Sequence, residues 1–275
     1  MLKESVQIVK EYLQAVLNAD AETLVQDTAL FLSENVIFEC GYPIKTISGR
    51  DSVAKNLWAP LKNAFHNIKL VPHIAMDGIC EIEGKEWVSM TGVYAGNFSN
   101  DLYAIPATKN YAFLRYGHFF RVENGEITKA YVLFDYIQLM QYAGVDILPK
   151  MIGGNGDIQP PVTGDGFVWD VERDHNASKS SMKIVMSMLS QLLVTGDTTA
   201  GSQQEYWAKD MTWYGPSGIG TYHTLEGFKQ YRNAFLNTFP NRDYGNHCGV
   251  ISKNNYVSVV GWKGCLLYTS DAADE

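Results

Sequence analysis

Cysteine is scarce in this chain, with four in 275 residues. No two of Cys40, Cys80, Cys248 and Cys265 form a C-x-x-C pair, so neither a disulfide scaffold nor a zinc ribbon is indicated. Basic residues are outnumbered, 22 Lys and Arg against 30 Asp and Glu, for a net charge of −8. They form no cluster, and nucleic-acid phosphates require one, so no nucleic-acid partner is expected. No run of about 18 apolar residues is present, which excludes a hydropathy-type membrane span. The N-terminus carries Lys3, Glu4, Lys10 and Glu11 among its apolar residues, the pattern of an amphipathic helix and not of a signal peptide. H-x-H and H-E-x-x-H spacings are missing, so no metal is expected. The glycines around Gly153 and Gly156 do not stand between a strand and a helix, so no phosphate loop is expected either. These absences leave a soluble, cytoplasmic protein that needs no cofactor.

What is abundant is apolar and aromatic side chain, 46% and 12% of the chain. The length suits two domains, each with its own core. An internal repeat agrees. "LSENVIFECGYPIKTISGRDSVAKNLWAPLKNAFHN" lies beside "WAKDMTWYGPSGIGTYHTLEGFKQYRNAFLNTFPN", and "HIAMDGICEIEGKEWVSMTG" beside "HCGVISKNNYVSVVG". Phe38 then matches Trp213, His73 matches His247, and Gly92 matches Gly261. The expected organisation is a complete domain over 1–147, a Gly/Pro-rich linker over 148–179, and a shortened second copy over 180–264. The last stretch, 265–275, back-translates to a transposon adapter used in sequencing libraries and is set aside as an artefact. The natural protein is therefore expected to run longer than this chain.

Within the first copy, apolar residues at helical spacing predict helices over Ser5 to Leu17 and Asp51 to Phe65. Alternating segments predict strands over Lys69 to Met76, Trp87 to Tyr94, Tyr111 to Val122 and Glu126 to Tyr136. Helices followed by a run of strands indicate an α+β fold with a mainly antiparallel sheet. Asn124-Gly125 predicts a two-residue hairpin turn. Counting back from it sets Val122 opposite Ile127 and His118 opposite Tyr131. That register puts Tyr116, His118 and Phe120 on one face with Tyr131, Leu133 and Asp135. Phe113, Arg115, Gly117, Phe119 and Arg121 share the other face, which the two arginines mark as outward.

The pattern "P-A-T…F-x-R-V-E-N-G-E-I-T…F-D…Q-Y-A-G", carried by Pro106, Thr108, Arg121, Gly125, Ile127, Asp135 and Gly144, resembles the SnoaL-like polyketide cyclases. These belong to the nuclear-transport-factor-2-like superfamily. The resemblance covers residues 1 to about 145, and 180 to 264 as a shortened copy. It implies a cone, a strongly curved sheet wrapped by N-terminal helices, with a ligand cavity at the open end. It further implies cofactor-independent acid/base chemistry on an apolar oxygenated molecule such as a polyketide. In those cyclases an Asp stands three residues before the matching Arg; here that place holds His118.

An imidazole titrates near neutrality, so His118 is the expected acid/base. Tyr131 is expected to orient it or to polarise a substrate oxygen. The bland alternative is a His hydrogen-bonded to Tyr131 with no reaction. Asp135 lies four residues beyond Tyr131, about 13 Å along a strand, so it forms no tight dyad with His118. It either meets a ligand at the cavity rim or caps the helix "YIQLMQYAG". Trp58, His73, Tyr94, Tyr116 and Leu133 are expected to line the substrate pocket. Cys40 reads as a buried structural thiol. The rival expectation is a binding module without turnover, or a homodimer formed through the sheet face by Phe113 and Phe119.

Overall fold

Helix α1 (Leu2–Asn18) turns Val6, Val9, Tyr12, Leu13 and Val16 to one side, and all five are buried. Its last turn carries no basic residue of its own. Lys62 supplies the missing cation, donating to the carbonyls of Val16 and Leu17 at 2.7 and 2.8 Å. The computed structural model describes residues 2–148, 151, 153–154, 161, 163–195, 202–238 and 246–263. Two units divide the chain: Met1–Pro149 with Gln159–Glu172, and Lys150–Ile158 with Arg173–Glu275. The adapter-like tail, Cys265 to Glu275, lies outside the described residues. No described helix is long and apolar enough to cross a membrane.

The first unit is α+β. After α2 (Leu24–Ala29) come β1 (Leu32–Cys40) and β2 (Thr46–Ser48), then one helical run of three parts: α3 (Arg50–Val53), a π turn (Ala54–Trp58) and α4 (Ala59–Ala64). Pro60 has no N–H to bond the Asn56 carbonyl, and the wide turn falls just before it. The long strands β3 (Phe65–Ile79), β4 (Glu86–Phe98), β5 (Tyr111–Glu123) and β6 (Glu126–Phe134) follow, and α5 (Tyr136–Tyr142) ends the series. The six strands are ordered β2-β1-β6-β5-β4-β3. All neighbours are antiparallel except β1 and β6, which are parallel. Helices cover one face, where Phe38, Val88, Met90, Leu114, Phe120 and Val132 join α1 and Trp58 in one core.

The hairpin turn sits at Asn124 (φ 52°) and Gly125 (φ 83°), both in the left-handed region that such turns require. Val122 opposes Ile127 as expected. Beyond that pair the register changes: Arg121 opposes Lys129, leaving Thr128 as an extra residue. Its hydroxyl accepts from Arg121 Nε at 3.0 Å and donates to Glu123 Oε2 at 2.8 Å. These two bonds hold the bulge. Every residue after it on β6 therefore faces opposite to the expectation.

Part of the stretch expected to be a linker is docked on the first unit. Ala75, on the outer edge of β3, donates to the Gly166 carbonyl (3.0 Å) and accepts from the Val168 amide (2.8 Å). Trp169 is buried in the core cluster, with Lys10 Nζ 4.9 Å from its ring centroid and bonded to Asp170 at 2.6 Å.

The second unit has α6 (His175–Thr195), a short 3-10 turn (Ser202–Glu205), β7 (Thr212–Tyr214), β8 (Thr221–His223), α7 (Thr224–Thr238), β9 (Asn246–Lys253) and β10 (Tyr256–Lys263). β7 pairs with β8 and β9 with β10, as separate two-stranded sheets. Asp174 caps α6 by accepting from Asn176 and Ala177. The β9–β10 turn is tied to the same helix end, since the Asn254 amide donates to Ser178 and Ser181 donates to the Asn254 carbonyl.

Candidate functional site

Side chains alternate along β5, so Leu114, Tyr116, His118, Phe120 and Val122 all face the helices. His118 is the polar exception in that row and is 2% exposed. Rings surround it. Tyr116 stacks on it at 4.4 Å with an interplanar angle of 26°, while Trp58, Tyr94, Phe120 and Phe134 lie with centroids 5.6–6.1 Å away.

Two hydrogen bonds determine its tautomer. Nδ1 lies 3.1 Å from the Gly117 carbonyl, which only accepts, so Nδ1 carries the proton. Nε2 is then the acceptor, and the Tyr94 hydroxyl donates to it at 3.1 Å. Burial among rings pushes the imidazole pKa down to about 3, against a smaller upward pull from the Gly117 carbonyl. The ring is neutral at cellular pH. Burial likewise drives the hydroxyls of Tyr94 and Tyr116 well above their ordinary value, making them neutral donors.

Gly92 explains how the rings fit. It opposes Tyr116 on the helix-covered face. A Cβ there would stand 2.2 Å from the Val71 carbonyl oxygen and 2.9 Å from the Tyr116 hydroxyl. The Tyr116 hydroxyl is buried and has no hydrogen-bond partner among the described residues. Trp58 is held from behind, its indole N–H donating to Tyr12 at 2.7 Å.

The structure thus brings together His118, Tyr94, Tyr116 and Trp58. It separates the others. Tyr131 opposes Phe119, not His118, because the Thr128 bulge moves it to the other face, where it stacks on Trp87 at 5.8 Å. Leu133 opposes Gly117 on that same face and is 42% exposed, so it lines no pocket with His118. Asp135 is the N-cap of α5, accepting from the Gln138 amide at 3.2 Å, with Arg115 Nη1 at 3.9 Å. His73 sits half-buried at a bulge of β3, between Pro72 opposite Gly92 and Ile74 opposite Thr91. Phe119, expected in a dimer face, is buried against Trp87 at 4.8 Å. Cys40 is buried, and desolvation pushes its thiol up to about 12.

Tyr12, Phe134 and Tyr136 were not singled out by the sequence. Tyr136 meets Tyr103 edge-on at 5.8 Å, 33 residues apart along the chain. No local pattern announces such a pair. Among the described residues, no three of His, Cys, Asp and Glu converge as a metal site.

No protein-family model matches the sequence, and no curated protein sequence does. Solved structures do match the fold. A candidate polyketide cyclase from Xanthomonas campestris is 18% identical over 52% of this chain and 98% of its own, with a TM-score of 0.41. A candidate SnoaL-like polyketide cyclase from Jannaschia is 12% identical over 52% and 93%, with a TM-score of 0.41. An NTF2-like protein from Burkholderia thailandensis is 17% identical over 52% and 97%, with a TM-score of 0.39. All three cover about half of this chain.

Proposed function

We propose that the first unit takes up a neutral, largely apolar, oxygenated small molecule of polyketide type and performs cofactor-independent proton transfer on it, as cyclisation, isomerisation or hydration. The observation that carries this reading is the Tyr116 hydroxyl, buried without a partner beside the Tyr94–His118 hydrogen bond. A buried hydroxyl left unsatisfied costs about 1–3 kcal/mol, which a ligand oxygen would relieve. His118 is the acid/base, Tyr94 relays or holds its proton, Tyr116 binds the ligand oxygen, and Trp58 shapes the wall. A depressed pKa makes a weak base, so the reaction needs polar ligand atoms near the imidazole to bring it back toward neutrality.

Two substitutions test this against a panel of polyketide-like substrates. His118→Ala is expected to lower kcat/KM about 10²–10⁴-fold. Tyr116→Phe is expected to lower it about tenfold while raising stability to urea by about 1 kcal/mol, since the orphan hydroxyl is gone. A protein that turns over equally with Ala at 118 removes His118 from the mechanism. The second reading, binding without turnover, is favoured by the rings closed around His118. Ligand binding with no product, in wild type, would select it.

We also infer that the second unit repeats the architecture of the first. Both units run long helix, short helix, an antiparallel strand pair, helix and hairpin in that order, with Phe38 on β1 and Trp213 on β7, and His73 on β3 and His247 on β9. Superposition of α6–β10 on α1–β4 in a crystal structure, with Trp213 over Phe38 and His247 over His73, is the expected observation; a different strand pairing would remove the idea.

A further inference from the structure

A cleft of about 350 Å³ opens on the first unit, lined by Ile44, Thr46, Ile47, Ser48, Ser52, Asn56 and Tyr103. This is the lower end of the range for small-molecule sites. His118 does not line it. A series of rings connects the two places: Tyr103 meets Tyr136 at 5.8 Å, Tyr136 meets Phe134 at 5.7 Å, and Phe134 meets His118 at 5.6 Å. We propose that the cleft is the port through which a neutral, oxygenated molecule reaches His118, and that the Tyr103–Tyr136 pair is its door. The proposal rests on the reading that the His118 site takes a ligand.

The lining decides the class of molecule. Hydroxyls and one carboxamide face the cleft beside two isoleucines, and none of its residues ionises near neutrality. Such a wall can hydrogen-bond a neutral oxygen but sets no opposite charge against a carboxylate, phosphate or ammonium, whose desolvation would go uncompensated.

The door is weakly held. Tyr103 stands at φ 53°, a left-handed conformation uncommon for an aromatic residue, and is 41% exposed. Its loop closes on itself through the reciprocal backbone bonds of Leu102 and Ile105 and through Asp101, which accepts from the Ala107 amide. Opening the door therefore breaks an edge-on ring contact and leaves the loop's own bonds intact. Phe134 is the last residue of β6, so its ring can turn without disturbing the ladder.

Diethylpyrocarbonate, a small neutral ester that acylates unprotonated imidazole, is the probe. The full chain is labelled and the rate at each His is read by mass spectrometry, with exposed His66 as internal reference. Tyr136→Leu, which removes the ring that Tyr103 meets edge-on, should raise the rate at His118 about fivefold. Tyr103→Ala should raise it about tenfold or more, since the ring that lines the cleft is gone as well as the contact. Adding Ser52→Trp to Tyr103→Ala fills the cleft and should return His118 to the wild-type rate. His66 should react equally throughout. A His118 rate that follows neither tyrosine, or that ignores Ser52→Trp, overturns the port. Rates at His118 and His66 that rise together mean access by general unfolding and overturn it as well. Labelling that responds to the door without any turnover removes the enzyme reading alone; turnover without a labelling response removes the port alone.

Discussion

The two faces of the β5–β6 pair came out opposite in character, although one short hairpin makes both. Toward the helices stand Tyr116, His118 and Phe120 against Phe134, Val132 and Ala130, all closely packed and without a charge. Away from them stand Gly117, Phe119 and Arg121 against Leu133, Tyr131 and Lys129, where rings and charges mix. There Trp87 packs on Phe119 and Tyr131, Lys129 Nζ lies 4.9 Å from the Tyr131 ring centroid, and Arg121 reaches both Glu83 and Glu123. The difference teaches that the turn fixes only the first pairs of a ladder. Beyond them the register is set by whichever polar group can hold an extra residue, and here Thr128 does so between Arg121 and Glu123.

The comparison can be broken at its strongest point by Trp58→Ala. Trp58 is fully buried on the helix side, and its loss is expected to cost about 3–5 kcal/mol in urea unfolding. A cost under about 1 kcal/mol would mean that the helix side is not the tightly packed one. An effect of comparable total size, spread over several pH units, appears in acid. The His118 pKa is about 3 in the folded chain, against the ordinary 6.5 once unfolded. Above pH 6.5 both states are neutral and its contribution to stability is full. As pH falls from 6.5 toward 3 only the unfolded chain takes the proton, so stability drops by up to about 1.4 kcal/mol per pH unit. His118→Gln should flatten that slope, and equal slopes in the two proteins would refute a buried neutral imidazole. The smallest effect belongs to the outer face: Leu133→Ala should stay within about 0.5 kcal/mol of wild type by the same urea measurement.

Much of the first unit was legible. The stripe of α1, the Asn124-Gly125 turn, the inward His118 and the cap at Asp135 all follow from short-range patterns that the structure repeats. Strands β3 and β4 are longer than the alternation suggested, because Phe65–Ile68 and Ala95–Phe98 continue the ladder without a clean polar–apolar rhythm. Tyr131 and Leu133 were misassigned for one reason, the extra residue at Thr128, which depends on partners five and seven positions away. The Tyr94–His118 bond was not legible either. The Tyr116 ring stacked on His118 requires Gly92 to leave room for its hydroxyl, and a glycine in a strand does not say what will fill the space. Trp169 was hidden in a segment whose glycines and prolines read as a bare connection.

That segment has a further consequence for the sheet margins. β2 is three residues long, and the middle of β3 is already occupied by the chain's own Gly166–Val168, so a foreign strand finds little backbone template at Ala75 for intermolecular zippering. Cutting the chain at Leu148 would strip this cover and pull an indole out of the interior. Fibril-like association seen in such a fragment would then report a bared margin and not the habit of the whole protein.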